Sequence, residues 1–451
     1  MRPEIKDITH DVFINGAFHQ KNRTIRGISM KISIIGTGYI GSVTGACFAE
    51  MGHHVIFVGR DQKKLDLIRA GKSPIFEPGL DQLLVKNKKM IDTTTDLPDA
   101  VRRTDLTFIC VGTPPKKDGS SDLSQVQEVS KTIGRSLSHS DSHYHTIVTK
   151  STVLPGTIEE TIVPILERES KRKADIDFGI ASNPEFLKEG TAVEDFFHTD
   201  RVVIGVRDPA TRGVLETLYA PLNVPIFTTS IRTAEMIKFT SNAFLATKIS
   251  FANEIGNLCK ASGIDSYEVF AGVGLDTRIN PKFFRSGLGF GGSCFPKDVN
   301  ALISHARSKG IDPIILNSVI DTNEDQPRRM IALLKKHLDP RGHTIGVLGL
   351  AFKPDTDDIR ESRAIPVIRL LLQAGAKVKA YDPEAMGHFR ELIPDISYEA
   401  LASEVLDSDA VLIVTEWKEF ESLDYRGKLV IDGRRIEKVR NEAAVYEGMC
   451  W

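Results

Sequence analysis

A chain of 451 residues, 41% hydrophobic and 26% charged, is long enough for two or three packed cores and too apolar to remain unfolded. Its formal net charge of −2 gives no overall attraction to nucleic acid or to an anionic membrane, so an anionic ligand has to be held by a local site. Five scattered cysteines without a CxxC pair point away from a disulfide framework and from structural zinc, and no metal site is indicated.

Residues 1–29 lack the apolar stretch of a signal peptide, and no later segment approaches the length of a membrane span. A cytoplasmic location with no membrane or nucleic-acid partner is therefore expected. Met30 directly precedes the first strong strand, so 1–29 reads as an N-terminal extension outside the main fold. From Lys31, β-branched runs alternate with longer mixed segments: KISIIG, HVIFVG, LTFICVG, TIVTKST, FGIASN and RVVIGV. That alternation predicts a parallel α/β sheet over 30–230. Residues 231–335 form a helical connector, with 232–262 and 296–337 reading mainly as helix. Strand signals return over 336–451 at HTIGVLGLAF, KVKAYDP, DAVLIVTEW and KLVIDGRR, with AIPVIRLLLQAGA helical between them, which predicts a second, smaller α/β domain.

The turn after the first strand reads Gly36-Thr37-Gly38-Tyr39-Ile40-Gly41, the spacing that lets a backbone approach a pyrophosphate at a helix N-terminus. A strand before it and a helix after it favour dinucleotide binding over mere close packing. The acid usual at the end of the next strand is missing, and Gly59-Arg60 stands there instead. A guanidinium in that place favours NADP over NAD; the alternative is a solvated Arg60 with Asp61 serving the ribose of NAD.

The segment Gly287-Leu288-Gly289-Phe290-Gly291-Gly292-Ser293-Cys294-Phe295-Pro296-Lys297-Asp298 runs into a predicted helix, with Pro296 suited to its first turn. Cys294 would lie near a helix N-terminus and beside Lys297, both of which favour thiolate, although a lone cysteine is commonly a small core residue. Lys238 and Asn242, four residues apart, share a helix face and could steady a developing oxyanion, or form an ordinary solvated face. The strand-end loop from Asn183 to Gly190 offers Glu185 and Glu189 as acid/base candidates.

Taken in order, GTGYIG, VGTPP, KSTV, NPEFLKEGTAVEDF, EMIKFTSNAFLATKISFANEI, GFGGSCFPKD and GLAFKPDTDDIRES resemble the UDP-glucose/GDP-mannose dehydrogenase family from Lys31 to about Arg435. The resemblance implies two Rossmann-like doubly wound domains joined by a long central helix that supports a dimer or higher homo-oligomer. It implies a four-electron, NAD(P)-dependent oxidation of a UDP-sugar to the uronate. UDP-glucose stands ahead of UDP-galactose, GDP-mannose or a UDP-N-acetylhexosamine. It assigns the nucleophile to Cys294 and oxyanion stabilisation to Lys238 and Asn242 with Asp298, and it places Thr152 and Glu189 near a catalytic water and Glu185 in thioester hydrolysis. Cofactor contacts are implied at Gly36, Gly38, Tyr39, Ile40, Gly41, Arg60, Thr113, Thr152, Glu189, Lys297 and Arg360. Substrate contacts are implied at Glu185, Phe186, Leu187, Lys188, Lys238, Asn242, Phe284, Gly291, Phe295 and Lys353, with Arg278 reaching the partner subunit's site. A reading from a different class is a non-catalytic nucleotide-binding protein, which the presence of Lys238, Asn242, Cys294 and Asp298 together disfavours.

Overall fold

Short β-branched runs separated by helices pair in parallel through crossovers, and the chain builds two sheets of this kind. The computed structural model describes residues 29–138 and 144–451, so the extension expected over 1–29 lies, except for Ser29, outside the described residues. The first sheet contains β1 (Lys31–Ile35), β2 (His54–Val58), β3 (Ile91–Thr94), β4 (Leu106–Ile109), β5 (His145–Thr149), β6 (Phe178–Ser182), β7 (Val202–Val206) and β8 (Ile226–Thr229). Their order is β3-β2-β1-β4-β5-β6-β7-β8. The second contains β9 (Thr344–Leu348), β10 (Lys377–Tyr381), β11 (Ser397–Tyr398), β12 (Ala410–Ile413), β13 (Leu429–Asp432) and β14 (Val445–Gly448), ordered β11-β10-β9-β12-β13-β14. Each sheet reverses its winding beside its first strand, between β1 and β4 and between β9 and β12. Open α/β sheets bind ligands at that point.

Ten of these strands coincide with the apolar runs visible in the sequence. The other four, β3, β8, β11 and β14, are the outer strands of the two sheets, and their residues IDTT, IFTT, SY and VYEG carry no apolar run because one side of each faces solvent. The parallel pattern expected for the first sheet breaks once, where β7 runs antiparallel to β6. The connection between them, the Asn183–Gly190 loop and the six-residue helix Ala192–Phe197, stays at the carboxyl end of the sheet, so the chain re-enters from that end.

Between the sheets runs a 31-residue helix, Ile231–Ala261, capped by the Ser230 side chain on Thr233 N and about 46 Å long at 1.5 Å per residue. It packs against the helices Phe295–Ser308 and Ile314–Lys335. Its packed side buries Lys238, Asn242, Ala243 and Ala246, while Phe244, Phe251 and Leu258, seven residues apart, are exposed along one stripe. Among the described residues, no helix is long and apolar enough to cross a membrane, and no group of three or more His, Cys, Asp or Glu is arranged to hold a metal ion.

Candidate active site

At the first sheet's reversal point, the glycine turn divides its glycines between fold and ligand. Gly36 has φ +109° and donates from its N–H to Val58 O at 2.9 Å; a Cβ there would come 2.7 Å from Cys110 O. A Cβ on Gly41 would overlap the Gly36 carbonyl oxygen, whereas one on exposed Gly38 would meet nothing within 4 Å. The outer two glycines are thus required by the turn and the helix Tyr39–Glu50, and the middle one leaves open backbone of the kind a pyrophosphate needs. Tyr39 and Ile40 open that helix half-buried, and Thr113 Oγ1 donates to Thr152 O at 2.8 Å, joining the loops after β4 and β5. These residues fit a dinucleotide.

Arg60 is otherwise engaged. Its exposed guanidinium lies 3.4 Å from Glu128, and Asp61 caps the helix Gln62–Ala70 by accepting from Lys63 N at 2.9 Å. The preference for NADP over NAD that Gly59-Arg60 suggested therefore gains no support.

The loop from Gly287 to Cys294 is held by both the central helices and the second domain. Asn253 Oδ1 accepts from Gly287 N and Asn323 Oδ1 from Phe290 N, each at 2.8 Å, while Arg360 O accepts from Gly292 N at 2.9 Å. Gly291 lies against the Glu361 carbonyl. Cys294 stands at the N-cap position of the helix Phe295–Ser308 without a side-chain capping bond, and Ser293 Oγ lies 3.6 Å from its sulfur. Lys238 and Glu185, each 5% exposed in the side chain, form an ion pair at 3.0 Å. Asn242 Nδ2 donates to Asp298 Oδ2 at 2.6 Å, and Lys297 pairs with Asp298 Oδ1.

The electrostatics differ from the thiolate expected of Cys294. Burial raises the thiol's pKa, and Glu185 and Asp298 add to the rise against the opposing pull of Lys238. Lys297, the cation adjacent in sequence, is bound to Asp298 instead. Burial also works against the Lys238 ammonium, yet Glu185 foremost, with Asp298, holds its pKa above the ordinary lysine value. The resting pair is a protonated thiol beside a charged ammonium. A carbonyl or alkoxide oxygen admitted here would meet the ammonium, and the thiol proton could pass to a carboxylate.

Glu189 reaches the same space. Its Oε1 accepts from Ser293 Oγ at 3.2 Å and lies 3.4 Å from Arg360 Nη2, while Lys353 donates to its backbone carbonyl. Burial, followed by the charge of Asp358, pushes its pKa up to about 7. Asp358 also anchors Arg360, accepting from Nε at 2.9 Å and from Nη2 at 2.6 Å.

Three expected residues take partners outside this cluster. Arg278 is 86% exposed in its side chain and paired with Asp276 of its own turn; Lys188 is tied to Asp195 at 2.6 Å; and buried Phe284 stacks on Phe270, with Lys248 over its ring. Phe186 lies beneath the Arg201 guanidinium, 3.9 Å from it, and 5.5 Å from Lys238 Nζ; Leu187 packs on the first core; and Phe295 meets Phe290 edge to face. Sequence reasoning passed over Lys150, which precedes the Ser151-Thr152 pair in KSTV. It is buried, donates to Asn183 Oδ1 at 2.9 Å, and has its pKa lowered by burial to about 8. It pins the loop that presents Glu185. A cavity of about 520 Å³ between the helices Ile314–Lys335 and Ala364–Gln373 contains neither Cys294 nor Lys238 in its lining.

The sequence matches three family profiles in succession: UDP-glucose/GDP-mannose dehydrogenase family, NAD binding domain, over residues 30–223; central domain, over 232–325; and UDP binding domain, over 346–438. A UDP-glucose 6-dehydrogenase of Haloferax volcanii is 45% identical over 432 residues, covering 93% of this chain and 100% of the relative. A GDP-mannose 6-dehydrogenase of Azotobacter vinelandii is 40% identical over 441 residues, covering 94% and 100%. The solved structure of a UDP-glucose dehydrogenase from Pyrobaculum islandicum superposes with a TM-score of 0.92 at 43% identity, covering 96% of this chain and 100% of that one.

Proposed function

Because the chain belongs to the UDP-glucose/GDP-mannose dehydrogenase family and is an NAD-dependent sugar-nucleotide dehydrogenase, we propose that it oxidises UDP-glucose to UDP-glucuronate, with Cys294 as nucleophile. The observation that carries the mechanism is the buried Lys238–Glu185 pair beside Cys294. The substrate assignment rests on the Haloferax and Pyrobaculum similarities.

The glycine turn Gly36–Gly41 with Thr113 would hold the dinucleotide, with Lys297 and Arg360 nearby. NAD is favoured by the match to the family's NAD binding domain over residues 30–223. When bound, the nicotinamide accepts a hydride at each of the two oxidations. The chain's own groups do the rest. The C6 hydroxyl releases its proton to water, and Lys238, supported by Asn242 and Asp298, stabilises the resulting alkoxide as the hydride leaves. The Cys294 sulfur then adds to the aldehyde carbon, forming a C–S bond, and its proton passes to Glu185 while the oxygen is stabilised by Lys238. Loss of a second hydride from this thiohemiacetal leaves a thioester. Water held near Thr152 and Glu189 attacks it, the C–S bond breaks, and the sulfur regains a proton as the uronate departs. Phe186, Leu187, Lys188, Phe284, Gly291, Phe295 and Lys353 would line the sugar-nucleotide side. A homodimer formed along the Phe244–Phe251–Leu258 stripe would let Arg278 reach a partner's site.

A second reading, GDP-mannose as substrate, draws on the 40% identity to the Azotobacter protein. Parallel measurement of kcat/KM decides: UDP-glucose is expected to exceed GDP-mannose by at least about a hundredfold. Equal or reversed values would replace the substrate while leaving the Cys294 chemistry in place.

A further inference from the structure

Glu77, in the segment PIFEPGL, belongs to none of the groups described above, yet it is 7% exposed and lies between two of them. Its Oε2 accepts from the Tyr39 hydroxyl, at the start of the glycine-turn helix, and from Gly190 N at 2.7 Å. Its Oε1 accepts from Ala192 N at 2.6 Å and Val193 N at 3.4 Å. Gly190 N also donates to the Tyr39 oxygen at 2.9 Å, closing a three-membered network. The peptide joining Glu189 to Gly190 is therefore gripped at both ends. Its N–H is held by Glu77 and Tyr39 of the first domain, and its carbonyl accepts from Lys353 after β9 of the second. Gly190 has φ +83°, and a Cβ there would come 2.8 Å from Asp355 O, so the second domain closes directly over this peptide.

A buried carboxylate with four donors is a rigid joint, because leaving any of those donors unpaired costs more than the bond itself contributes. We propose that Glu77 is a positioning residue that couples the dinucleotide turn to the Glu189 loop, so that ordering of one orders the other. The coupling runs from Tyr39 through the carboxylate to Gly190 and Ala192, and from there to the Glu189 side chain beside Ser293 and Arg360. It rests on the reading above only in placing a dinucleotide at the glycine turn.

The test uses NADH binding to the full chain, followed by dinucleotide fluorescence and by hydrogen exchange of residues 36–50 and 186–197. It needs no sugar. In wild-type protein NADH is expected to protect both segments. Glu77→Gln places an NH2 against backbone N–H donors, so NADH affinity should fall roughly tenfold. Protection should then be confined to 36–50. Tyr39→Phe keeps the carboxylate and removes one arm, and it provides the same readout if Glu77→Gln does not fold; it too should uncouple the segments. Protection of 186–197 persisting in either folded variant at NADH saturation overturns the proposal, as does wild type that binds NADH without protecting 186–197. A wild type that shows linked protection but oxidises no sugar nucleotide would remove the functional reading and leave this one standing.

Discussion

The two sheets begin alike and diverge at one residue. After β1 the chain turns at Gly36, whose N–H donates to Val58 O of β2; after β9 it turns at Gly349, whose N–H donates to Tyr381 O of β10, both at 2.9 Å. Both glycines have positive φ, 109° and 94°. The second strands end differently: Gly59 and Arg60 follow β2, and buried Asp382 follows β10. Asp382 Oδ2 accepts from Leu350 N at 2.7 Å, from Ala351 N at 2.9 Å and from the Trp417 indole at 2.9 Å, while Oδ1 accepts from Glu384 N and Ala385 N. In the second domain, then, the chain's own carboxylate takes amides that a dinucleotide fold offers to phosphate. In the first, the corresponding backbone at Gly38 stays open. Strand order alone does not make a dinucleotide site; what fills the first turn decides it.

The thiol loop lies where the open fold meets the closed one, and its loss has the largest expected effect. Cys294→Ser should lower steady-state uronate formation more than about a thousandfold, since the alkoxide chemistry survives but the acyl carrier does not. Turnover near wild type would remove the nucleophile. Next comes the open turn itself. Gly38→Ala adds a methyl where nothing stands within 4 Å, so melting should change little while NADH affinity falls about tenfold; Gly41→Ala should lower the melting temperature instead. Equal melting losses in the two variants would erase the division between them. On the closed side, Asp382→Asn leaves amide N–H groups facing an NH2 and should cost about 2 kcal/mol in denaturant unfolding, with NADH affinity unchanged.

A further effect is in pH dependence. Glu189 has a pKa raised by burial to about 7, against an ordinary 4.5. A carboxyl protonated more readily in the folded than in the unfolded chain contributes stability that is complete below about 4.5 and is lost as pH rises through about 7. The melting temperature of the ligand-free protein should therefore fall between pH 5 and 8 by more than that of Glu189→Gln. Parallel profiles would show that this carboxyl is not perturbed.

Much of this was legible in the sequence, because most inner strands are runs of apolar residues and the glycine turn has fixed spacing. The four outer strands were not, since pairing on one side alone imposes no apolar pattern. Lys238 and Asn242 could be read as sharing a helix face, but the partner of each is 53 or 56 residues away and depends on the tertiary fold. That is why adjacent Lys297 looked like the cation for Cys294 while Lys238 fills that place. Lys150 and Glu77 act by holding loops distant in sequence, and no local spacing marks such a role.

If one thiol carries one sugar through two oxidations, the number of dinucleotides reduced per sugar must be two. With limiting UDP-glucose, supplied in parallel with NAD and with NADP, two dinucleotides reduced per sugar, faster with NAD, is the expected result. One per sugar would mean an oxidation that stops at the aldehyde and leaves Cys294 without a covalent role.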